Sequence, residues 1–501
     1  MSARAAPAEH PGPQPDCRRL GNGLGVILLS QPGLTKAAIS LRVAAGSHDE
    51  PLEYPGLAHF LEHLLFLGGA GFAGEQRLMP FVQACGGQLN ASTQGHHTDY
   101  FCEVPAQRLE DALARLLDML AKPLFEAEAQ VREREVVHAE FIARGQDAST
   151  LIGTALGQAL PVGHRFAAFQ AGNRETLAAE QADFQQALRA FHQRFYRAAN
   201  LTLVLLGPQP PEQLYALAET YGAALGEGDG PLQSAAAPLL PLRAQHLQLC
   251  LPAAAPSLHL CFALEQPRPA QAGGLSEALD FLQTWLLGES SGGLLANLRT
   301  AQLCRELEVR RLYQHDEQAL LLLSFAGVEG AEQARAGIAA ALQGWLEFFA
   351  EADWATLQDS YRAIRECQRR SLPPLALARY WQEGLAVGGN PHDALTAQGE
   401  HCLRVVLGQL RQPRRLIELL VSQAEQPLWP TSGFDLRMAA IPCCPAVAAD
   451  WRWQLPAANP FFAAAPSPTA PLSCSAQLRW LAAPDSQADG QSALYWRCCF
   501  S

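Results

Sequence analysis

His59, Glu62 and His63 carry the most specific chemistry in this sequence. The segment His59-Phe-Leu-Glu62-His63 falls in a stretch with helical character, from Gly56 to about Leu67. Residues four apart on a helix project from one face. That spacing lets both imidazoles bind one Zn²⁺. Glu62 lies three residues after His59 on the same side, within reach of a water at the same ion, where a carboxylate can act as general base. The competing reading is a polar helix face carrying two unrelated histidines.

A catalytic zinc site takes three protein ligands and keeps one position open. A second helix, predicted from Glu126 to Arg144, carries Glu133 and Glu140. Seven residues make nearly two turns, so the two carboxylates face the same way. Glu140 is the candidate third ligand. Glu133 is the candidate partner that hydrogen-bonds a ligand or the water. By themselves two glutamates on a helix are usually a solvated face; beside His59 and His63 the functional reading is the better one. Cys85 and Cys102 lie nearby in sequence, but thiolate ligands would make a different, structural site. His96 and His97 fall in a hairpin turn and are expected to be solvent-exposed.

These residues need a scaffold, and the sequence outlines one. After a Leu20-Gly-Asn-Gly-Leu24 turn come strand-like runs at Val26–Leu29 and Ala37–Val43. The helix at 56–67 is stopped by Gly68-Gly69, and a further helix is expected from Glu75 to Ala84. Two short strands, Gln88–Thr93 and Asp99–Val104, flank the His/Gly turn. Helices at Pro105–Leu120 and Glu126–Arg144 and a buried strand at Leu201–Leu206 complete this region. A Gly-rich and Ala/Pro-rich stretch then marks a boundary. Beyond it, strand Leu258–Leu264, helix Ala278–Leu287, strand Ala319–Phe325 and helix Ala331–Phe349 repeat the earlier order, without a sequence repeat strong enough to prove duplication. The fold class is α+β. The expected organisation is a tail at 1–18, a metal-binding domain at 19–225, a linker at 226–244, a related domain without metal at 245–454, and a linker with an incomplete segment at 455–501.

The chain has 501 residues, with 37 Lys and Arg against 49 Asp and Glu, a net charge of -12. That balance disfavours nucleic-acid binding, which usually rests on a clustered basic surface. With 49% hydrophobic and 17% charged residues the chain can bury a large core. It has no unbroken apolar run of about 18 residues that would span a membrane. The first residues lack the apolar region of a secretory signal. The thirteen cysteines form no CxxC pair, and Cys443/Cys444 and Cys498/Cys499 read as small apolar residues. A reducing cytoplasm is the expected setting.

The HxxEH order is the inverted zinc motif of the inverzincins. With a Glu-x6-Glu helix some seventy residues later, the sequence resembles the pitrilysin/insulinase zinc peptidases. The matching residues are His59, Glu62, His63, Glu133 and Glu140. Further family-like pieces are Leu20-Gly-Asn-Gly-Leu24, Gly56-Leu-Ala-His59, Gly87-Gln-Leu-Asn-Ala-Ser92, Thr98-Asp-Tyr100 with Val104-Pro105, Gly172-Asn-Arg-Glu-Thr-Leu177 and Tyr196-Arg-Ala-Ala-Asn-Leu201. The resemblance spans about residues 18–225 closely and 245–460 more distantly. It implies LuxS/metallopeptidase-like α/β domains of repeated shape, here half of a clamshell, with one Zn²⁺ and a peptide substrate. It also implies that an edge strand carrying Asn90 and Ala91 pairs with the substrate backbone, and that Gly292-Gly293 lies in a loop that holds a substrate N-terminus. Plain strand and helix-entry readings stand beside these two. Longer relatives add a second half that supplies an Arg and a Tyr orienting the substrate. Leu455-Pro-Ala-Ala-Asn-Pro460 resembles the stretch that joins the halves, and no counterpart of the Arg and Tyr follows it. A separate second-half or homologous subunit is therefore an expected partner. A non-catalytic partner subunit and a scaffold with structural zinc are the rival readings; the intact His59, Glu62, His63 and Glu140 set argues against the first, which has no need of all four, and Glu62 against the second, since a structural site has four protein ligands and no nearby general base.

Overall fold

The computed structural model describes residues 14–228, 235–266, 273–328, 331–386, 394–444, 447 and 450–457. Most of the expected tail, part of the expected linker, and nearly all of the segment at 455–501, with Cys498 and Cys499, lie outside the described residues.

Two sheets organise the chain. The first holds β1 (Asp16–Arg19), β2 (Gly25–Ser30), β3 (Lys36–Val43), β4 (Gln88–Thr93), β5 (Thr98–Pro105) and β6 (Leu201–Gly207), in the order β1-β2-β6-β3-β5-β4. The helices of this part are α1 (Leu57–Leu65), α2 (Leu78–Ala84), α3 (Leu109–Ala121), α4 (Ala127–Arg144), α5 (Ala148–Gly157), α6 (Ala182–Phe195) and α7 (Pro211–Gly222). The second sheet holds β7 (His246–Cys250), β8 (Ser257–Glu265), β9 (Glu306–His315), β10 (Gln318–Ala326), β11 (Leu416–Ser422), β12 (Leu428–Trp429) and β13 (Leu436–Ala440), in the order β12-β13-β7-β11-β8-β10-β9. Its helices are α8 (Gly274–Leu286), α9 (Leu294–Thr300), α10 (Ala331–Ala350), α11 (Gln358–Arg370), α12 (Pro374–Ala386) and α13 (Ala397–Leu410).

The duplication that the sequence only suggested is plain in the topology. Strands β2-β6-β3-β5-β4 and β7-β11-β8-β10-β9 have the same spatial order and the same chain order. In each set the first pair is parallel and the other three are antiparallel.

Both faces of each sheet are buried, which explains why the central strands read as unbroken apolar runs. On one face of the first sheet, Leu28, Ile39 and Leu41 pack with Phe60 of α1, Leu113 of α3 and Phe184 of α6. On the other, Ile27, Leu29, Ala38, Val204 and Leu206 meet Leu377, Ala378 and Trp381 of α12. The second sheet mirrors this. Leu258, Leu260 and Phe262 pack inward on α8, α10 and α13. Its other face is covered by Leu151, Ile152 and Ala155 of α5. Each half thus lends one helix to the other's sheet, and a buried bond of 2.6 Å from Ser40 Oγ to Gln382 Oε1 ties the exchange. The boundary expected at 226–244 separates the sheets along the chain, but packing crosses it in both directions.

Three local expectations need correction. The tail expected through residue 18 already contains β1, which pairs with β2 (Arg18 opposite Val26), and Arg18 reaches Asp16 and Glu212, both at 2.6 Å. The helix expected over 75–84 is a short turn at Gly74–Gln76 followed by α2 from Leu78. Pro80 is the reason: without an N–H it fits only in the first turn of a helix. The helix expected from Pro105 starts at Leu109, because β5 runs on to Pro105.

Candidate metal centre

Helix α1 is set in place at its start. Gly56 precedes it with φ 89, a left-handed conformation that glycine adopts without strain. A Cβ there would lie 2.2 Å from Gly172 Cα, so the two glycines let the backbone around residue 172 press against the helix entry. Glu50 accepts hydrogen bonds from Gly56 N (2.8 Å) and Ala58 N (3.0 Å), taking up two of the N–H groups that a helix start leaves unpaired. Burial pushes the Glu50 carboxyl up to about 8, despite those two bonds.

The approach of residues 171–172 also orients the first histidine. Ala171 O lies 2.7 Å from His59 Nδ1, so that nitrogen carries the proton and Nε2 is left as the acceptor. His63 is oriented in the same way: its Nδ1 donates to Glu133 Oε1 at 2.8 Å. Burial, with the nearby His63 and Arg144, lowers His59 to about 3, so it is neutral at ordinary pH. Burial also pushes His63 down, but the Glu133 bond and the charges of Glu140, Glu62 and Glu133 together raise it.

Helix α4 brings the carboxylates. Gln130, Glu133, Val137, Glu140 and Arg144 recur at steps of three and four, so they form one stripe. Gln130 and Val137 are fully buried and anchor the helix. Glu140 then reaches the Nε2 of both imidazoles: Oε2 is 3.6 Å from His59 Nε2, and Oε1 is 3.5 Å from His63 Nε2. Bonds of about 2.0–2.2 Å around a tetrahedral Zn²⁺ place ligand atoms about 3.4 Å apart, so the separations fit that ion. Among the described residues, His59, His63 and Glu140 are the one group of three or more His, Cys, Asp or Glu side chains close enough to share a metal ion. Glu62, on the same helix, accepts a bond of 2.6 Å from Thr93 Oγ1 of β4. Burial raises its pKa, and Thr93 works against that rise.

The structure therefore brings together His59, Glu62, His63, Glu133 and Glu140. Asn90 and Ala91 lie on β4, the last strand of the first sheet, three and two residues before Thr93. There Asn90 is exposed, and its Oδ1 accepts from Ala91 N at 2.9 Å. Gly292 and Gly293 form the entry to α9 in the second half, with Gly292 at φ 81 and its carbonyl accepting from Gln454 N at 3.1 Å. Among the described residues no hydrogen bond or ion pair joins these two glycines to the His59 group.

The histidines expected to be exposed are not. His96 Nδ1 and Nε2 belong to a ring packed on others: Nε2 lies 3.1 Å from His48 Nδ1, and the ring stacks on His315 at 3.4 Å. His97 is part-buried beside Asp99. The tip of the β4–β5 hairpin meets β9 of the other sheet, a long-range contact with no local signal. Cys85 and Cys102 are free and stand apart from the metal-capable group. Sequence reading also passed over Glu50, Thr93, Arg144 and Ala171. Ala171 acts through its carbonyl, which no side-chain pattern can reveal. Glu50 had a signal, an acid just upstream of a helix start, and so did Arg144, four residues after Glu140 on one helix face.

Comparison with known proteins agrees with this geometry. The family described as Insulinase (Peptidase family M16) matches residues 25–157, and the Peptidase M16 inactive domain matches residues 184–359. Coenzyme PQQ synthesis protein F of Pseudomonas aeruginosa is 42% identical over 445 residues, covering 87% of this chain and 54% of that protein. The protein of the same description from Pseudomonas protegens is 44% identical over 396 residues, 79% of this chain and 46% of its own length. Protease 3 of Escherichia coli is 35% identical over 207 residues, 41% of this chain and 21% of that protein. The chain spans about half the length of the PQQ synthesis relatives it matches. In fold it is similar to pitrilysin, with a TM-score of 0.74 and 22% identity over 87% of this chain and 47% of that one. A protease from Helicobacter pylori has a TM-score of 0.64 and 18% identity, covering 82% of this chain and all of that one. Two matched domains in sequence order, on a duplicated fold with the metal-capable cluster in the first, make this chain a member of the M16 (insulinase) peptidase family.

Proposed function

We propose that this chain is the metal-bearing half of a zinc-dependent endopeptidase that hydrolyses a peptide precursor, in the biosynthesis of pyrroloquinoline quinone. The observation that carries the reading is the convergence of His59 Nε2, His63 Nε2 and Glu140, with both Nδ1 atoms committed elsewhere. Family members are generally zinc metallopeptidases. The naming of the PQQ synthesis relatives supports the pathway.

His59, His63 and Glu140 would hold one Zn²⁺. When bound, that ion supplies a water of lowered pKa and polarises the carbonyl under attack. Glu62 removes a proton from the attacking water and passes it to the leaving amine; its burial favours holding a proton between the two steps. Thr93 holds the carboxylate of Glu62 by its Oε2. Glu133 fixes the ring of His63. The edge strand β4, with Asn90 and Ala91, offers backbone groups to an extended peptide, and Gly292-Gly293 would receive a substrate N-terminus.

A second reading is a peptidase subunit that acts with a second-half or homologous partner, or a general oligopeptidase of pitrilysin type; the match of the Peptidase M16 inactive domain and the likeness in fold to pitrilysin support it. Cytoplasmic placement is part of the proposal. Among the described residues no helix is long and apolar enough to cross a membrane, and the ten described cysteines are free. The test is incubation with the PQQ precursor peptide and unrelated peptides, with and without a second-half chain, read by mass spectrometry. Cleavage of the precursor alone supports the pathway, and cleavage of all peptides supports the general oligopeptidase. Cleavage by a Glu62→Gln chain would overturn the assignment of the base.

A further inference from the structure

Arg144 closes the α4 stripe, four residues after Glu140. Its Nη2 lies 3.2 Å from His59 Nε2 and 3.4 Å from Glu140 Oε2. The guanidinium therefore stands at the open side of the cluster, beside two of the atoms assigned to the metal. Among the described residues, Glu140 is the only carboxylate within ion-pair distance of it. An arginine keeps its charge at any ordinary pH. A dication in the centre would claim the Glu140 carboxylate and repel the guanidinium, which would leave Arg144 without another ion-pair partner among the described residues.

The same side chain lines a cavity of about 310 Å³, bounded by α5, the segment 166–171 and the turn at 431–434. The walls are aromatic (Phe166, Phe169, Phe434) and neutral polar (Thr150, Thr154, Gln158), and Arg144 is the one ionisable residue among those described there. With Glu140 given over to the metal, a single cation in a part-apolar recess favours a carboxylate, which a guanidinium binds through two parallel hydrogen bonds. We propose that Arg144 makes this cavity a receptor for a carboxylate on the bound peptide, next to the bond that is cut, and so sets a preference for acidic substrates. The inference rests on the metal-centre reading above and adds a specificity residue to it.

The source of the carboxylate is an Asp or Glu side chain or a free C-terminus, and one experiment separates them. A zinc-loaded Glu62→Gln chain, which binds without turnover, is immobilised and offered a synthetic pool of random decapeptides with free and amidated C-termini. The captured peptides are sequenced by mass spectrometry. At least threefold enrichment of Asp and Glu identifies the side-chain source. The same enrichment of free over amidated termini identifies the other. Either must vanish in the Glu62→Gln/Arg144→Gln chain at equal zinc content; Arg144 is exposed, and equal zinc content shows that the doubly substituted chain is folded. Zinc bound with neither enrichment, or enrichment that survives Arg144→Gln, overturns the inference alone. Failure of the Glu62→Gln chain to bind zinc removes the centre and the inference with it.

Discussion

Glu133 Oε1 and His63 Nδ1 lie 2.8 Å apart across 70 residues of sequence, and the bond between them turns Nε2 of His63 toward Glu140. This makes Glu133 a positioning residue: it acts through the imidazole. Loss of such an outer partner typically costs 10–100-fold in metal affinity. Glu133→Gln should therefore weaken zinc binding by about 10-fold or more, measured by competition with a chelator of known affinity. An unchanged affinity would detach Glu133 from the site.

Thr93 predicts a pH effect. Its hydroxyl donates to Glu62, and a bond to the charged form lowers a carboxyl pKa. Thr93→Val removes that donor, so the Glu62 pKa should rise further. A base works only when deprotonated, so the acidic limb of the pH–rate profile should move to higher pH, with zinc content unchanged. A limb that stays in place argues that Glu62 is not the group titrating.

Much of the site was legible because it is local. The spacing of His59, Glu62 and His63 needs only the helix period, and Glu133 with Glu140 needs only two turns of a second helix. What was hidden depends on backbone or on contacts across the chain. The carbonyl of Ala171 has no side-chain signature, and its place depends on Gly56 and Gly172 meeting. The duplication was faint in sequence because strands buried on both faces tolerate many apolar residues, while the strand order is preserved. The exchange of α5 and α12 was invisible, since an amphipathic helix does not state which sheet it will cover.

Gly56→Ala tests how α1 is held. The added Cβ meets Gly172 Cα at 2.2 Å, at a φ of 89. The left-handed conformation and the overpacking together should cost at least about 2 kcal/mol of stability. Urea unfolding of the variant measures this. A midpoint equal to that of the unsubstituted chain would show that the backbone can move apart freely.

The histidine group between the sheets predicts acid sensitivity. Burial, with neighbouring His164, Arg165 and His315, lowers His48 to about 3. Burial, with His315, His48, His97 and His164, lowers His96 to about 2. Below the ordinary value of 6.5 the unfolded chain binds protons that the folded chain refuses, so stability falls as pH drops from 6.5 toward 3. Each such histidine contributes a slope of up to about 1.4 kcal/mol per pH unit. His96→Asn should lessen the loss of urea stability between pH 7 and pH 5. A fall as steep as in the unsubstituted chain would contradict the protonation account.

Metal analysis of the purified chain beside its His63→Ala and Glu62→Gln forms reaches the central claim most directly. The geometry predicts one zinc per chain in the unsubstituted and Glu62→Gln proteins and almost none in His63→Ala. Zinc retained in full by His63→Ala, in a protein that is still folded, would contradict the account.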